Sequence, residues 1–145
     1  MTLALDPKVW GPHYWFFLHT IALSYPKYPN AITKKKYYEF IQNLPLFLPI
    51  ESISTEFSKL IDMYPVAPYL DNKDSFIRWT HFIHNKINEK LEKPVISLTQ
   101  FYTKYYEEYK PTDVKWKEYY KYIQKIIYFI IILLFLFLIY YFYEK

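Results

Sequence analysis

The sequence has no cysteine, one glycine and one arginine in 145 residues. Without cysteine the chain has no disulfide, no thiolate metal ligand and no dithiol chemistry of its own. Such a composition suits the cytosol without requiring it. Gly11 alone cannot serve the tight turns of a sheet protein, whereas ten prolines suit helices punctuated at their ends. Arg78 is the only arginine, and the lysines spread over helical faces rather than forming one stripe, which argues against a nucleic-acid partner.

Aromatic residues are abundant, with 18 Tyr, 12 Phe and 4 Trp. Each ring buries a large area, so a small core can be filled with few residues. The other surplus is a run from Ile126 to Tyr143, uncharged and apolar on every face. A helix of that length spans roughly 27 Å, against a bilayer core of about 30 Å. Tyr140, Tyr141 and Tyr143 stand where interfacial aromatics belong. The run is expected to be a single-pass membrane anchor; the alternatives are a buried core helix or an oligomer seam, and a seam needs only one apolar stripe. Lys115, Lys117, Lys121 and Lys125 precede it, and only Glu144 and Lys145 follow. The positive-inside rule then predicts a tail-anchored protein with its N-terminal domain on the cytoplasmic side. Met1 to Lys8 lacks the basic start and apolar run of a signal peptide.

Proline and cap signals predict five helices before the anchor: Val9–Ser24, Thr33–Leu44, Ile50–Met63, Asp74–Leu91 and Ser97–Tyr109. Pro12 is placed in the first turn of the first helix, Thr33 as a cap, an Asp or Ser cap on the fourth, and Ser97 with Gln100 as a capping box. A last helix is expected from Asp113 into the anchor. No alternating strand pattern persists, so the predicted fold is all-α: a helical bundle over residues 1–111, a lysine-rich juxtamembrane helix over 112–125 and a transmembrane anchor over 126–143.

Two clusters carry the chemical interest. Gly11, Trp15 and His19 recur at i+4, placing an indole between a bare backbone patch and an imidazole on one helical face. Such a face suits a flat heteroaromatic ligand and equally suits core packing. His84, Asn85 and Asn88, with Lys90 and Lys93 just beyond, gather an imidazole, two amides and cations near a helix end. They suit phosphates and a ring edge, or a solvated last turn complementing the helix dipole. His81 and His84, at i, i+3, also raise a metal reading, but Asp74 and Glu92 do not complete a ligand set and no metal is expected.

Taken together, Gly11-x3-Trp15-x3-His19-Thr20 ending at Tyr25-Pro26, and His84-Asn85-x-Ile87-Asn88-x-x-Leu91-x-Lys93-Pro94, resemble the two signatures of the flavin-linked sulfhydryl oxidases, the Erv/ALR family. The resemblance covers Trp10 to Tyr109 and is nearest to the compact forms carried by large DNA viruses. It implies a four-helix bundle with a short fifth helix, often homodimeric, that binds FAD, turns dithiols into disulfides and hands electrons to oxygen. Carried over, Gly11, Trp15 and His19 face the cofactor; His84, Asn85 and Asn88 take the adenine and ribose side. Lys90 and Lys93 approach the pyrophosphate or ribose, Phe47 sits near the isoalloxazine ring, and Tyr105 stands where some relatives have Trp.

The departure is at Leu48-Pro49-Ile50-Glu51-Ser52-Ile53, where Ile50 and Ile53 occupy the family's CxxC positions. Isoleucine has no lone pair and no redox couple, and the hydroxyls of Ser52 and Ser54 form no exchangeable bond to sulfur. A further family cysteine pair would fall at His81 and Leu98. The expectation is an FAD-binding member that is degenerate or has had its cysteines replaced. The competing reading is a non-enzymatic, membrane-tethered helical interaction module. A third is that a thiol-bearing partner protein reaches the flavin directly, which isoleucines over the ring would obstruct.

Overall fold

The computed structural model describes residues 5–144; the expectations resting on residues 1–4 and on Lys145 lie outside the described residues. The fold is all-helical, with 79% of residues in helix and no strand among the described residues. Six α-helices follow in order: α1 (Pro7–Ser24), α2 (Ala31–Asn43), α3 (Glu51–Met63), α4 (Lys73–Lys90), α5 (Leu98–Glu107) and α6 (Thr112–Tyr143). Two short 3₁₀ turns, Leu44–Phe47 and Ala67–Tyr69, precede α3 and α4. The chain divides into two units, one ending at Tyr102 and the other beginning at Thr103, so the boundary falls within α5.

Helix starts follow side-chain caps more closely than apolar spacing alone suggested. Asp6 caps α1, accepting from the Lys8 amide at 2.8 Å, and Pro7 occupies the first turn, where it needs no donor. The helix therefore begins two residues before the expected Val9. Pro12 consequently lies inside α1, not in its first turn, and leaves the carbonyl four residues back without its helical donor. Asn30, not Thr33, caps α2 by accepting from the Thr33 amide at 2.8 Å. Asn72, not an Asp or Ser, caps α4 through the Ser75 amide at 2.9 Å. The Ser97–Gln100 box is present: the Ser97 amide donates to Gln100 Oε1 at 2.8 Å, and the Gln100 amide to Ser97 Oγ at 3.2 Å. Ile50, at the start of α3, makes no side-chain cap.

The core of the first unit is the bundle interior. Ala22, Ile41, Ile61, Val66, Phe76, Trp79 and Ile83 are fully buried. Leu18 and Ala22 are buried on α1; Ile77 and Ile83, six residues apart, on α4. Polar tips on buried rings find carbonyls: Tyr25 Oη donates to Leu70 O at 2.8 Å and Trp79 Nε1 to Tyr64 O at 2.9 Å. These bonds tie the end of α1 to the segment leading into α4, and the end of α3 to α4 itself.

The C-terminal end of α4 closes as a Schellman motif. The Glu92 amide donates to Glu89 O at 3.1 Å and the Lys93 amide to Asn88 O at 2.9 Å. Glu92 takes φ 54°, the left-handed position usually given to glycine. This chain has spent its one glycine elsewhere and tolerates a side chain there.

In the second unit, α6 is one unbroken 32-residue helix. Within it, Val114–Tyr143 is long and apolar enough to cross a membrane, and its most apolar window is wholly exposed, unlike the core helix of a soluble protein. That one helix is the whole of the structural support for a span. The α4 cap is the simplest part of the architecture to test. Asn72→Ala should lower unfolding stability by about 1 kcal/mol without changing the helical circular-dichroism spectrum; an unchanged denaturation midpoint would show that the cap contributes nothing.

Candidate functional site

Three rings from two helices form the centre of the first unit's candidate site. Trp15 and His84 stack face to face, with centroids 4.1 Å apart and planes 8° from parallel. His19, one turn beyond Trp15 on α1, lies 5.7 Å from the indole at 24°. Its Nε2 is 2.9 Å from His84 Nδ1, so one imidazole donates and the other accepts. Phe57 of α3 meets Trp15 edge-on at 6.4 Å, and Phe101 of α5 meets His19 edge-on at 4.5 Å. The i+4 spacing of Trp15 and His19 thus works as read: it points both rings at His84 on α4.

His19 is 95% buried, and its Nδ1 has no partner. Burial first, then the neighbouring His84 and His81, push its pKa down from 6.5 to about 3. The ring is therefore neutral at physiological pH. If Nε2 donates to His84, the inward-facing Nδ1 is a bare acceptor. A buried polar atom without a partner is uncommon and points to a donor supplied from outside the chain, such as water or a ligand.

Asn85 does something the sequence did not suggest. Its Nδ2 donates to Ile96 O at 2.9 Å, and its Oδ1 accepts from Ile96 N at 3.1 Å. This two-point clasp pins the segment after α4 back onto the helix. His81 Nε2 also approaches Ile96 O at 2.8 Å, which requires the proton on that nitrogen. Such an N–H cannot accept, so the 3.2 Å approach of Asn85 Nδ2 is proximity alone. His81 thus turns to Ile96 while His84 turns to His19.

The remaining expected residues are spread along the rims. Gly11 lies one turn before Trp15, and a Cβ built there would meet nothing within 4 Å. Nothing in the helix packing therefore demands glycine, and the space over it is open. Asn88 is half-buried, and its carbonyl is held by Lys93 N. Lys90 pairs with Glu56 of α3 at 2.8 Å. Lys90 and then Lys59 hold the Glu56 carboxyl down to about 2. The Lys93 side chain is exposed. Phe47 is exposed, and its carbonyl accepts from Tyr14 Oη at 2.9 Å. Tyr105 belongs to the second unit, where its hydroxyl meets that of Tyr109 at 2.7 Å.

Ile50 and Ile53 open α3, both half-buried. Ile53 lies one turn before Phe57 on the same face, and Phe57 touches Trp15. Ser54 Oγ is turned away, donating to Pro45 O at 2.7 Å. Sequence reasoning missed the Asn85 clasp, Tyr14 and Phe101. The Ile96 partner lies beyond Pro94, where helical spacing gives no information. Phe101 showed only as an apolar position in a short helix.

The geometry has close counterparts. The Erv1 / Alr family model matches residues 12–125. The chain is 29% identical over 94 residues to a probable FAD-linked sulfhydryl oxidase of Acanthamoeba polyphaga mimivirus, covering 64% of this chain and 66% of that protein. It is 30% identical over 87 residues to the mitochondrial FAD-linked sulfhydryl oxidase erv1 of Schizosaccharomyces pombe, covering 60% of this chain and 48% of that one. The chain thus spans about half to two thirds of those two relatives. With the FAD-linked sulfhydryl oxidase of African swine fever virus it shares 30% identity over 110 residues, 72% of this chain and 91% of the viral one. Among solved structures, the yeast Erv1 core superposes with a TM-score of 0.63 at 27% identity, covering 75% of this chain and 87% of that one. The FAD binding domain of Erv1 from Saccharomyces cerevisiae gives 0.64 at 27% identity, over 72% and 97%. From its matched residues, its helical fold and these relatives, the chain belongs to the Erv1 / Alr family.

Proposed function

We propose that this chain is a membrane-tethered flavoprotein of the Erv1 / Alr family that holds FAD beside the Trp15–His19–His84 cluster and has no dithiol of its own. Residues 1–111 would form the flavin-binding part, 112–125 the juxtamembrane helix and 126–143 the span. The observation that carries the reading is the ring cluster itself, a flat surface with an unpartnered buried acceptor, in a chain whose relatives are named FAD-linked oxidases. The open space over Gly11 gives a planar ligand access to the same helical face.

The residues present fit the cofactor. Trp15 and His84 offer aromatic faces, and His19 Nδ1 offers an acceptor in a dry setting. Lys93 offers an exposed cation at the end of α4. Lys90 would have to share its charge with Glu56. Asn85 is committed to Ile96, so its role is to fix the segment after α4 and keep His84 facing Trp15. A bound FAD would supply a two-electron acceptor that no side chain here provides. What the chain itself lacks is the donor: Ile50 and Ile53 present hydrocarbon at the start of α3 and transfer nothing. Thiol oxidation would therefore need sulfur from a protein partner, and the isoleucines stand in its way.

The burial of His19 has a sign that can be worked out. Its unfolded-state pKa is 6.5 and its folded value about 3. Between those values the unfolded chain is protonated and the folded chain is not. Stability is therefore full above pH 6.5 and is lost as pH falls toward 3.

Two outcomes are expected. The purified protein should be yellow with a flavin spectrum and should consume no oxygen with added dithiol beyond free FAD; a folded, colourless protein that refuses FAD would leave the interaction-module reading instead. Ile50→Cys with Ile53→Cys should then bring thiol-dependent oxygen consumption, and its absence in a folded yellow variant would reject this account of the missing cysteines. Separately, urea denaturation between pH 7 and 4 should show wild-type stability falling by up to about 1.4 kcal/mol per pH unit, the one-proton limit. His19→Gln should flatten that slope by up to one proton, and identical slopes would remove His19 as its source.

A further inference from the structure

The first turns of α6 carry a feature that flavin binding does not use. Lys117, Lys121 and Lys125 follow one another at i, i+4 and i+8, drifting by about 40° per step, so they form one stripe along the helix. All three are exposed. Among the described residues, Glu107 and Glu118 pair with Lys110 at 2.8 Å and 3.3 Å, and Glu108 lies 3.9 Å from Lys115. Among the described residues no ion pair reaches Lys117, Lys121 or Lys125. Three cations thus stand on one line.

Their depth is fixed by the continuity of the helix. No break separates them from the apolar run that begins at Ile126. At about 1.5 Å per residue, Lys125 lies at the edge of that run, Lys121 about 6 Å outside it and Lys117 about 12 Å outside. The polar layer of a bilayer leaflet is roughly 5–8 Å thick. Lys125 and Lys121 therefore fall within the headgroup layer, and Lys117 lies about 4–7 Å beyond it, from where its long side chain reaches back toward the headgroups. A second observation lies on the same stretch of helix. Trp116, Tyr119 and Tyr120 form a ring cluster with centroids 6.0–6.3 Å apart, and all three are exposed. An apolar body with a polar tip is the chemistry of the membrane–water boundary.

We propose that Lys117, Lys121 and Lys125 form a docking stripe for anionic lipid headgroups in the leaflet through which α6 enters the membrane. The stripe selects the lipid surroundings of the protein, a role separate from anchoring it. The inference rests on α6 being a span, so its test must tell the two apart. Each lysine near an anionic surface contributes about 1 kcal/mol, roughly fivefold in partition.

The full chain is reconstituted into phosphatidylcholine vesicles holding a trace of dansyl-labelled lipid, either phosphatidylserine or phosphatidylcholine. Vesicle flotation reports the span. Energy transfer from Trp116, isolated by subtracting the Trp116→Phe variant, reports which lipid gathers at the stripe. Transfer to the anionic probe should exceed transfer to the neutral one at least about threefold. The excess should vanish in the Lys117→Gln, Lys121→Gln, Lys125→Gln triple variant while that variant still floats. Equal transfer to the two probes, or an excess that survives the triple substitution, overturns the stripe while leaving the span intact. Loss of the excess to inorganic phosphate, at ionic strength matched with chloride, overturns it in favour of a soluble anion. Wild type that fails to float overturns the span and the stripe together.

Discussion

The stack of Trp15 on His84 is the contact on which the candidate site depends. It joins α1 to α4, the first and last helices of the four-helix bundle, at 4.1 Å and nearly parallel. Everything nearby is set by it. His19, one turn after Trp15 on α1, reaches the same His84. Phe57 closes the edge of Trp15 and Phe101 that of His19, so His19 is buried while His84 stays half-buried. That enclosure, more than any charged neighbour, holds His19 neutral. The same dryness makes the unpartnered Nδ1 costly, since a buried polar atom without a partner forfeits on the order of 1–3 kcal/mol. Among the described residues it is the one buried side-chain atom without a partner, and a cofactor held as proposed would complete it.

The second support is backbone geometry after α4. Glu92 in the left-handed region turns the chain, and Asn85 grips both polar atoms of Ile96. Together they bring the start of α5 back so that Phe101 can cover His19. The amide that motif comparison assigns to the cofactor thus serves the chain first. The two roles are connected, because a loose segment after α4 would uncover His19 and admit water to the cluster.

Much of this was legible in the sequence, and the limits are physical. Helix number, order and approximate extent followed from prolines and apolar spacing. The i+4 triplet Gly11–Trp15–His19 was read as one face, and it is one. Helix starts were harder, because Asp6, Asn30 and Asn72 cap through side chains lying just outside the apolar pattern. Long-range pairings were not readable at all. Nothing in spacing says that Asn85 bonds to Ile96 across a turn, that Tyr14 reaches the carbonyl of Phe47, or that His81 and His84 face different partners. Those choices are made by tertiary packing, where helical periodicity has no reach.

The start of α3 is where local preference and observed structure disagree most. The other four helices before α6 begin with a side-chain cap from Asp6, Asn30, Asn72 or Ser97. Alone among them, α3 begins with an isoleucine that can cap nothing. By the usual preference that choice gives up on the order of 1 kcal/mol relative to Ser or Asp. Burial offsets it only in part, since Ile50 and Ile53 are both half-buried. A position chosen for helix stability alone would carry an oxygen; one chosen for core packing would be fully buried. Ile50 is neither. Glu51 in the first turn answers the positive end of the helix dipole, so the position that the family signature gives to a thiolate carries hydrocarbon beside a carboxylate. A flavoprotein fold whose sulfur positions carry isoleucine, as proposed above, gives that choice a cause that helix stability and core packing do not.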